Sequence, residues 1–522
     1  MLNYFFWRRL RPLILNARSF CGCNRQLFTY FSLALCLGLH NPSLAGQSKG
    51  KSEAFSFEMF LNAVLNSNRS LIMAQLDEEV ARENITEQFA IYEPKLTVRS
   101  SAGNTLSPLS VEDQLLGRSP DPYPDKQTDL KGTISKLLSY GTKISIDSSL
   151  NRQKAGTMDN YQYRSDLRLS IVQPLMRGAG AKITNMDITI AELEAKIQEH
   201  LTLDQRNLIT TQAAIVYIDA LKTQLILERL KARVAILTKL KTEVSTLIKN
   251  GRLPRSSEID IEINLNKLEN LISNTERDLI RFKTELILLA PEGNLTVEKI
   301  QFDPSILPTK IYHIPDWQQL YTVALNTRYD IKAQKVAIKR ALLQLDQASD
   351  MARDTLDIRL DAGWSQQAGT ATSALRINDM AGHPERRISI EYRMPLGANK
   401  GANAKIRKAS LEKRKAELLL QGQRQNLENE VLVGHKTALQ TEKVWLNARK
   451  IANSTKKQLE VASLRLAQGR GNIIEVLQSE EKNLEATINE VEASTQYAKA
   501  FIQLYSVQGD LSEQVNNIFG KK

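Results

Sequence analysis

Cysteine is confined to the leading edge of this 522-residue chain: Cys21, Cys23 and Cys36 are all there is. Beyond residue 36 that excludes disulfides, thiol nucleophiles and thiolate metal sites together. Aromatic residues are scarce at 6%, while hydrophobic residues reach 42%. That mix suits long amphipathic helices better than a dense globular core. After residue 45 no apolar run of about 20 residues occurs, so no membrane-spanning helix is expected. Signatures of catalysis are missing as well. The histidines His40, His200, His313, His383 and His435 are scattered, and there is no HExxH, GxSxG or glycine-rich phosphate loop. No enzyme is expected and no cofactor or metal is implied.

Acidic and basic residues alternate without a block of either sign. The formal net charge of +12 includes five arginines within the first 45 residues; without them 65 basic residues face 58 acidic ones, a net +7. A nucleic-acid partner would call for a clustered basic stripe, and none is present.

Those five arginines, Arg8, Arg9, Arg11, Arg18 and Arg25, precede an apolar stretch from Leu27 to Leu39 and the small-x-small triplet Ser43-Leu44-Ala45. The order is that of a secretion signal spanning residues 1–45 and cleaved before Gly46; an uncleaved membrane anchor is the other reading.

Proline and glycine are informative where they are missing. Neither occurs between Gly180 and Gly251, and no proline follows Pro395. At about 1.5 Å per residue the first interval would reach on the order of 100 Å as one helix. Each long stretch is preceded by alternating strand-like segments that end in a Pro-Leu pair, Pro174-Leu175 and Pro395-Leu396. The chain is thus duplicated. Leu65-Asn66-Ser67 matches Leu325-Asn326-Thr327 at an offset of 260, and Ala74-Gln75 matches Ala333-Gln334 at 259. The first repeat covers 46–315, with strands about 95–175, long helices about 181–250 and 257–290, and a linker at 291–315. The second covers 316–522, with strands about 355–395, long helices about 402–468 and 472–508, and a C-terminal tail. The matched glycines Gly251 and Gly469 lie only 218 apart, so repeat one carries about forty extra residues between Pro94 and Pro174. They suffice for one more hairpin, which either lengthens the strands, caps them outside or joins them.

Alternation is cleanest at Leu356, Ile358, Leu360 and Trp364, with Ile388, Ile390 and Tyr392 on the partner segment. A half-buried strand in a soluble sandwich alternates in the same way. Behind a secretion signal and attached to long helices, the pattern instead fits a barrel wall with lipid on one face and water on the other. Two hairpins per chain give about four strands, too few to close a barrel, so the wall must be shared between copies. The stripe Ile190, Leu193, Ile197 and Leu201 would also serve an ordinary coiled coil. The stripe is broad, and small residues such as Ala213, Ala214 and Ala232 interrupt it, which fits helices set side by side around a bore.

With these features in order, the sequence resembles the TolC family of outer-membrane efflux channels. The resemblance rests on Gln173-Pro174-Leu175-Met176-Arg177-Gly178 after a strand. It rests above all on the second turn, Gln468-Gly469-Arg470-Gly471-Asn472-Ile473-Ile474-Glu475-Val476-Leu477-Gln478. It implies a mainly α fold with membrane strands: a homotrimer with a twelve-stranded β-barrel, provided the extra hairpin stays outside the wall. A long periplasmic α-barrel with a belt near its middle would continue it. It implies an outer-membrane exit duct of a tripartite efflux or type I secretion system in a Gram-negative bacterium. The partners are a periplasmic adaptor and an inner-membrane pump, proton-driven or ABC-type. The helix tips would form the gate, with Gly251, Glu258 and Asp260 in repeat one and Gly469, Glu475 and Gln478 in repeat two. Arg252, Arg255 and Arg470 stand close enough in sequence to pair with these acids. Glu258 and Glu475 also suit helix N-termini by charge alone, and Gln478 stands where some members have a second acid. The rival class, a secreted coiled-coil scaffold or adhesin, predicts a water-soluble mature protein.

Overall fold

The computed structural model describes residues 57–108, 111–117, 123–154, 160–251, 254–291, 300, 302–308, 311–376, 384–468, 470–509 and 511. All fall within one compact unit, Ala54–Lys522. The expected leader, Arg252, Gly469, His40 and His383 lie outside the described residues.

The chain opens with α1 (Phe57–Ser67) and α2 (Arg69–Phe89). Asn68 separates them and caps α2 by accepting from the backbone N–H of Ser70 and Leu71. A short 3-10 turn and Pro94 then release the chain into β1 (Lys95–Ser107). A five-residue α3 (Val111–Leu115) leads to β2 (Tyr123–Leu137), β3 (Lys143–Lys154) and β4 (Gln162–Pro174). Pro174 ends the strand, and after α4 (Ala181–Thr184) the proline-free stretch forms α5 (Met186–Lys249), 64 residues without a break. Gly251, in left-handed backbone at φ 72°, turns the chain into α6 (Ser256–Leu289).

Repeat two follows the same path with α7 (Trp317–Thr327), α8 (Tyr329–Met351) and β5 (Thr355–Ala368). After α9 (Ala371–Ala374) come β6 (Pro384–Arg393), α10 (Lys400–Ala467, 68 residues) and α11 (Ile473–Ser506). Gly422 and Gly434 do not interrupt α10. Gly434 sits where an added Cβ would touch Leu504 of α11 at 3.4 Å, so its smallness serves helix contact. No helix among the described residues is long and apolar enough to cross a membrane.

The six strands form one antiparallel sheet in sequence order, β1-β2-β3-β4-β5-β6. This settles the place of the extra residues of repeat one. The added hairpin is part of the sheet of the single chain, between β1 and β4. The hairpin β2–β3 pairs with β1 on one side and β4 on the other over eleven or more residues each. The physical reason is pattern: it alternates in phase with its neighbours, so no side chain has to change face when it enters.

The core gathers near the middle of the long helices. Tyr217 of α5 is fully buried against Phe57, Phe60 and Phe302, with ring centroids 5.1, 5.9 and 5.1 Å away. Ala213 and Ala214 are fully buried beside it and are contact points of the α5 stripe, whereas Ala232 is exposed. A second cluster joins Leu320, Ala324 and Ile331 to Leu427, Val431 and Ala438. Trp445 stacks on Tyr497 at 5.5 Å, and Tyr312 lies over Phe501 at 4.7 Å.

Candidate functional site

Register divides the sheet into two chemically distinct faces. On one, Leu96, Ile134, Ile146, Leu169 and Ala362 lie in a row across five strands. The next rows add Ile144, Ile171, Leu360 and Ile388, then Ile358 beside Ile390, then Leu356 beside Tyr392. Trp364 shares this face opposite Leu167. All seven residues singled out by alternation in repeat two therefore stand together. Leu96, Val98, Ile388 and Ile390 are 65–76% exposed, an apolar surface left open to the surroundings.

The opposite face is mainly polar, with Leu137 and Val172 as apolar exceptions at the end next to the helices. Asp147 accepts from Thr133 at 2.6 Å and pairs with Lys131 at 3.1 Å. Asn151 donates to Asp129 at 2.5 Å, Arg164 pairs with Asp166 at 3.2 Å, and Ser170 donates to Asp361. The inserted hairpin contributes to this network as fully as the other strands. Alternation in the sequence marks β5 and β6 most cleanly and also runs through 130–138 and 144–150 in the β2–β3 hairpin, where small residues (Ser148, Gly132) weaken it.

Beneath the sheet the helices stand in four columns. The side-chain amide of Asn68 donates to the carbonyl of Leu289 at 3.0 Å, which joins the start of α2 to the end of α6. Thr327, at the end of α7, donates to the carbonyl of Gln508 just beyond α11, and so joins the start of α8 to the end of α11. Contacts give the lateral order α2/α6, α5, α8/α11, α10. The strands that connect to these columns follow the same order: β1 from α2, β4 into α5, β5 from α8, β6 into α10. Both lateral boundaries therefore fall together in sheet and helices. The two outer columns carry exposed apolar side chains, Met73, Val80 and Ile280 on α2/α6 and Leu411, Val433 and Val444 on α10.

At the junction of α7 and α8 lies a charged cluster. Arg328 bonds Asp330 at 3.0 Å and also Glu430 of α10. Burial opposes its charge, but these two carboxylates more than offset that and raise its pKa. Asp204 of α5 has a raised pKa, first from burial and then from Asp330 and Glu430, with Arg328 acting the other way. A cavity of about 750 Å³ opens beside them, lined also by Asn207, Asp219 and Glu285. Nearer the tip, Arg233 is buried and donates to the carbonyl of Glu480 at 2.8 Å. Burial lowers the Arg233 pKa and raises that of Glu480. None of these groups stood out in the sequence, since a lone charge within a long helix usually faces water.

The tip residues are placed as follows. Glu258 and Asp260 lie in the first turns of α6, Glu258 half-buried and Asp260 exposed. Glu475 is in the first turn of α11 and Gln478 is exposed one turn on. The cation beside Glu475 is Arg465 of α10, at 3.6 Å, not Arg470. Arg470 and Arg255 are exposed, and among the described residues neither reaches an acid. The turn is tight there: a Cβ on Gly471 would lie 2.7 Å from the Leu466 nitrogen.

No family model and no curated protein matches the sequence. Solved structures share its fold. The outer membrane protein VceC of Vibrio cholerae is similar at 15% identity and a TM-score of 0.61, over 87% of this chain and 95% of VceC. The outer-membrane channel OprN aligns at 14% identity and a TM-score of 0.63, over 87% and 89%. The Campylobacter jejuni outer membrane channel CmeC aligns at 13% and 0.60, over 88% of each chain. The fold of this chain is that TolC-like one, a duplicated strand and long-helix unit.

Proposed function

We propose that this chain is a subunit of an outer-membrane exit duct. Three copies close side by side, and the duct passes solutes without chemistry of its own from the periplasm of a Gram-negative bacterium to the outside. One observation carries the reading. The sheet has one mainly apolar face, interrupted by Lys136 and Arg386, and one mainly polar face, and among the described residues it ends in an unpaired β1 edge and an unpaired β6 edge. A sheet that is apolar outside, wet inside and open at both sides is stable in lipid only when closed into a ring. Because the two boundaries differ, copies join head to tail, and such contacts form a ring when the rotation between copies closes.

In this reading Leu356, Ile358, Leu360, Trp364, Ile388, Ile390 and Tyr392 face lipid. The tips around Gly251, Arg252, Arg255, Glu258 and Asp260, with Gly469, Arg470, Glu475 and Gln478, form the gate and meet a periplasmic adaptor. An inner-membrane pump, proton-driven or ABC-type, supplies the energy for efflux or type I secretion. Residues 1–45 direct export and are removed, and 46–315 and 316–522 are the two repeats. Adaptor contact would shift the tip helices toward an open population.

Fractionation tests the proposal. The mature protein should remain with outer membranes after high-salt washing, require detergent for release and migrate as a trimer. Recovery as a dissolved monomer would favour the secreted scaffold and end the duct reading.

A further inference from the structure

We infer that the membrane pore of this protein is walled by six strands per copy, eighteen in the trimer, and is as wide as the helical barrel beneath it. The inference rests on the duct reading and adds the bore of its exit.

Strands lie about 4.8 Å apart and tilt about 40° in a barrel, so each occupies about 6.3 Å of circumference. Six strands then span about 38 Å per copy, whereas four would span about 25 Å. Packed helices lie about 8–10 Å apart, so the four columns of one copy span about 32–40 Å. At that tilt six strands match the arc, whereas four must tilt further or narrow above the helices. Closed three times, the six-strand wall measures about 36 Å between opposite backbones, against about 24 Å for a twelve-strand wall. Barrels of 16–18 strands enclose an open aqueous channel.

Three further observations place the added hairpin inside the wall. Its apolar residues Ile134, Ile144, Ile146 and Leu150 continue the face formed by Leu169, Ile171 and Leu360. Its polar residues Lys131, Asp147 and Asn151 join the opposite network. Its turn is seated on the junction with the helices. The Gly180 N–H donates to the Tyr140 carbonyl at 3.3 Å, and Thr142 donates to Gln173. A Cβ on Gly141 would lie 2.7 Å from the Gly178 carbonyl oxygen, so the close approach, at φ +87°, requires glycine. The hairpin thus spans from the helix junction to the outer loops, as β1 and β4 do.

A pore of this width sets no narrow passage at the membrane. Selection by size then falls to the helical part, and the exit is wider than a twelve-strand wall would leave it.

The test uses the full chain purified from outer membranes in detergent. Electron cryo-microscopy of the trimer should show eighteen strands and a barrel about 1.5 times the width of a twelve-strand one. A trimer with twelve wall strands and β2–β3 lying outside overturns the inference and leaves the duct reading standing. A water-soluble monomer overturns both. Thiol labelling gives a second readout, because no cysteine follows Cys36. Ser148→Cys and Ser149→Cys are near-isosteric neighbours on opposite faces of β3. In outer-membrane vesicles a water-soluble maleimide should modify Ser149→Cys about tenfold faster or more than Ser148→Cys. Equal rates would place β3 outside the wall.

Discussion

The two repeats cross one break in the helical layer by different chemistry. Between α1 and α2 the break is closed by Asn68, whose amide uses both ends: it accepts from two backbone N–H groups and donates to Leu289. At the position 260 residues later stands Arg328, which makes no side-chain cap and instead holds Asp330 and Glu430 beside Asp204. The packing differs in parallel. Phe57 and Phe60 close on Tyr217 in repeat one, while their counterparts Trp317 and Leu320 join a mainly aliphatic cluster in repeat two. The sheet differs most, four strands against two. Duplication therefore conserves the path of the backbone, not the means of stabilising it. A hairpin can enter a sheet without moving either neighbour's connection, because both its ends leave on the same side. A helical column cannot be added without displacing the turns.

The sharpest test of unequal packing is truncation. Phe60→Ala should destabilise the purified protein by about 3–5 kcal/mol, and Leu320→Ala should fall toward the lower end of about 2–5 kcal/mol. Both side chains are buried, at 0% and 4% exposure, but Phe60 also loses its stacking on Tyr217. Denaturant titration followed by far-ultraviolet circular dichroism reads the difference. Equal losses would show that the aromatic cluster adds nothing beyond its area.

The unequal sheet can be broken next. Ile146→Arg in β3 and Ile390→Arg in β6 place a charge on the apolar face of each repeat, and each should cost about 2–4 kcal/mol near the bilayer midplane. Ser145→Arg, on the polar face, should be tolerated. The yield of trimer in the outer membrane is the readout. If only Ile390→Arg is harmful, the two repeats do not share one wall.

Much of this architecture is legible in the residues. The proline-free, glycine-free interval fixed the length of α5 within a few residues, because nothing else in it could break a helix. Alternation located β5 and β6 because their apolar positions are large. The strand count was harder to read. Ser148, Gly132 and Ser165 stand at apolar-face positions of repeat one, and small residues neither strengthen nor contradict a period of two. Pairing order, which decides whether a hairpin joins or leaves a wall, is a non-local property that alternation does not carry. The Asp204–Arg328–Glu430 cluster was invisible for a related reason. Its members are separated by more than 100 residues on either side and meet only where the helical columns are stacked. At the tip, pairing by proximity in sequence suggested Arg470 for Glu475, while Arg465 stands beside it.

The two tips differ in what glycine does there. An added Cβ at Gly251 meets nothing within 4 Å, so Gly251→Ala faces only the left-handed backbone, about 1–2 kcal/mol. Gly251→Asn should recover part of that loss, since Asn tolerates this conformation. Gly471→Ala would instead press a methyl against the backbone at Leu466, and Asn should not rescue it. Melting temperatures of the four variants separate strain from collision. Rescue at both positions would mean that the tips are equivalent.

The smallest expected effect is the most specific to repeat two. Burial raises the Asp204 pKa above the ordinary carboxylate range, and the neighbouring Asp330 and Glu430 add to the rise against Arg328. A carboxyl whose folded pKa is raised binds its proton more tightly in the folded than in the unfolded chain. Its contribution to stability is thus complete below the unfolded pKa and is lost as pH climbs through the folded one. Asp204→Asn keeps the shape and removes that loss. The melting temperature of the variant should equal that of the unmodified protein in mild acid and exceed it increasingly as pH rises to neutrality. Asn68→Ala, at the matched break of repeat one, removes a neutral cap and should lower stability by about 1 kcal/mol at every pH. If Asp204→Asn instead lowers the melting temperature at neutral pH, Arg328 needs the third carboxylate, and the cluster is a satisfied network, not a stored cost.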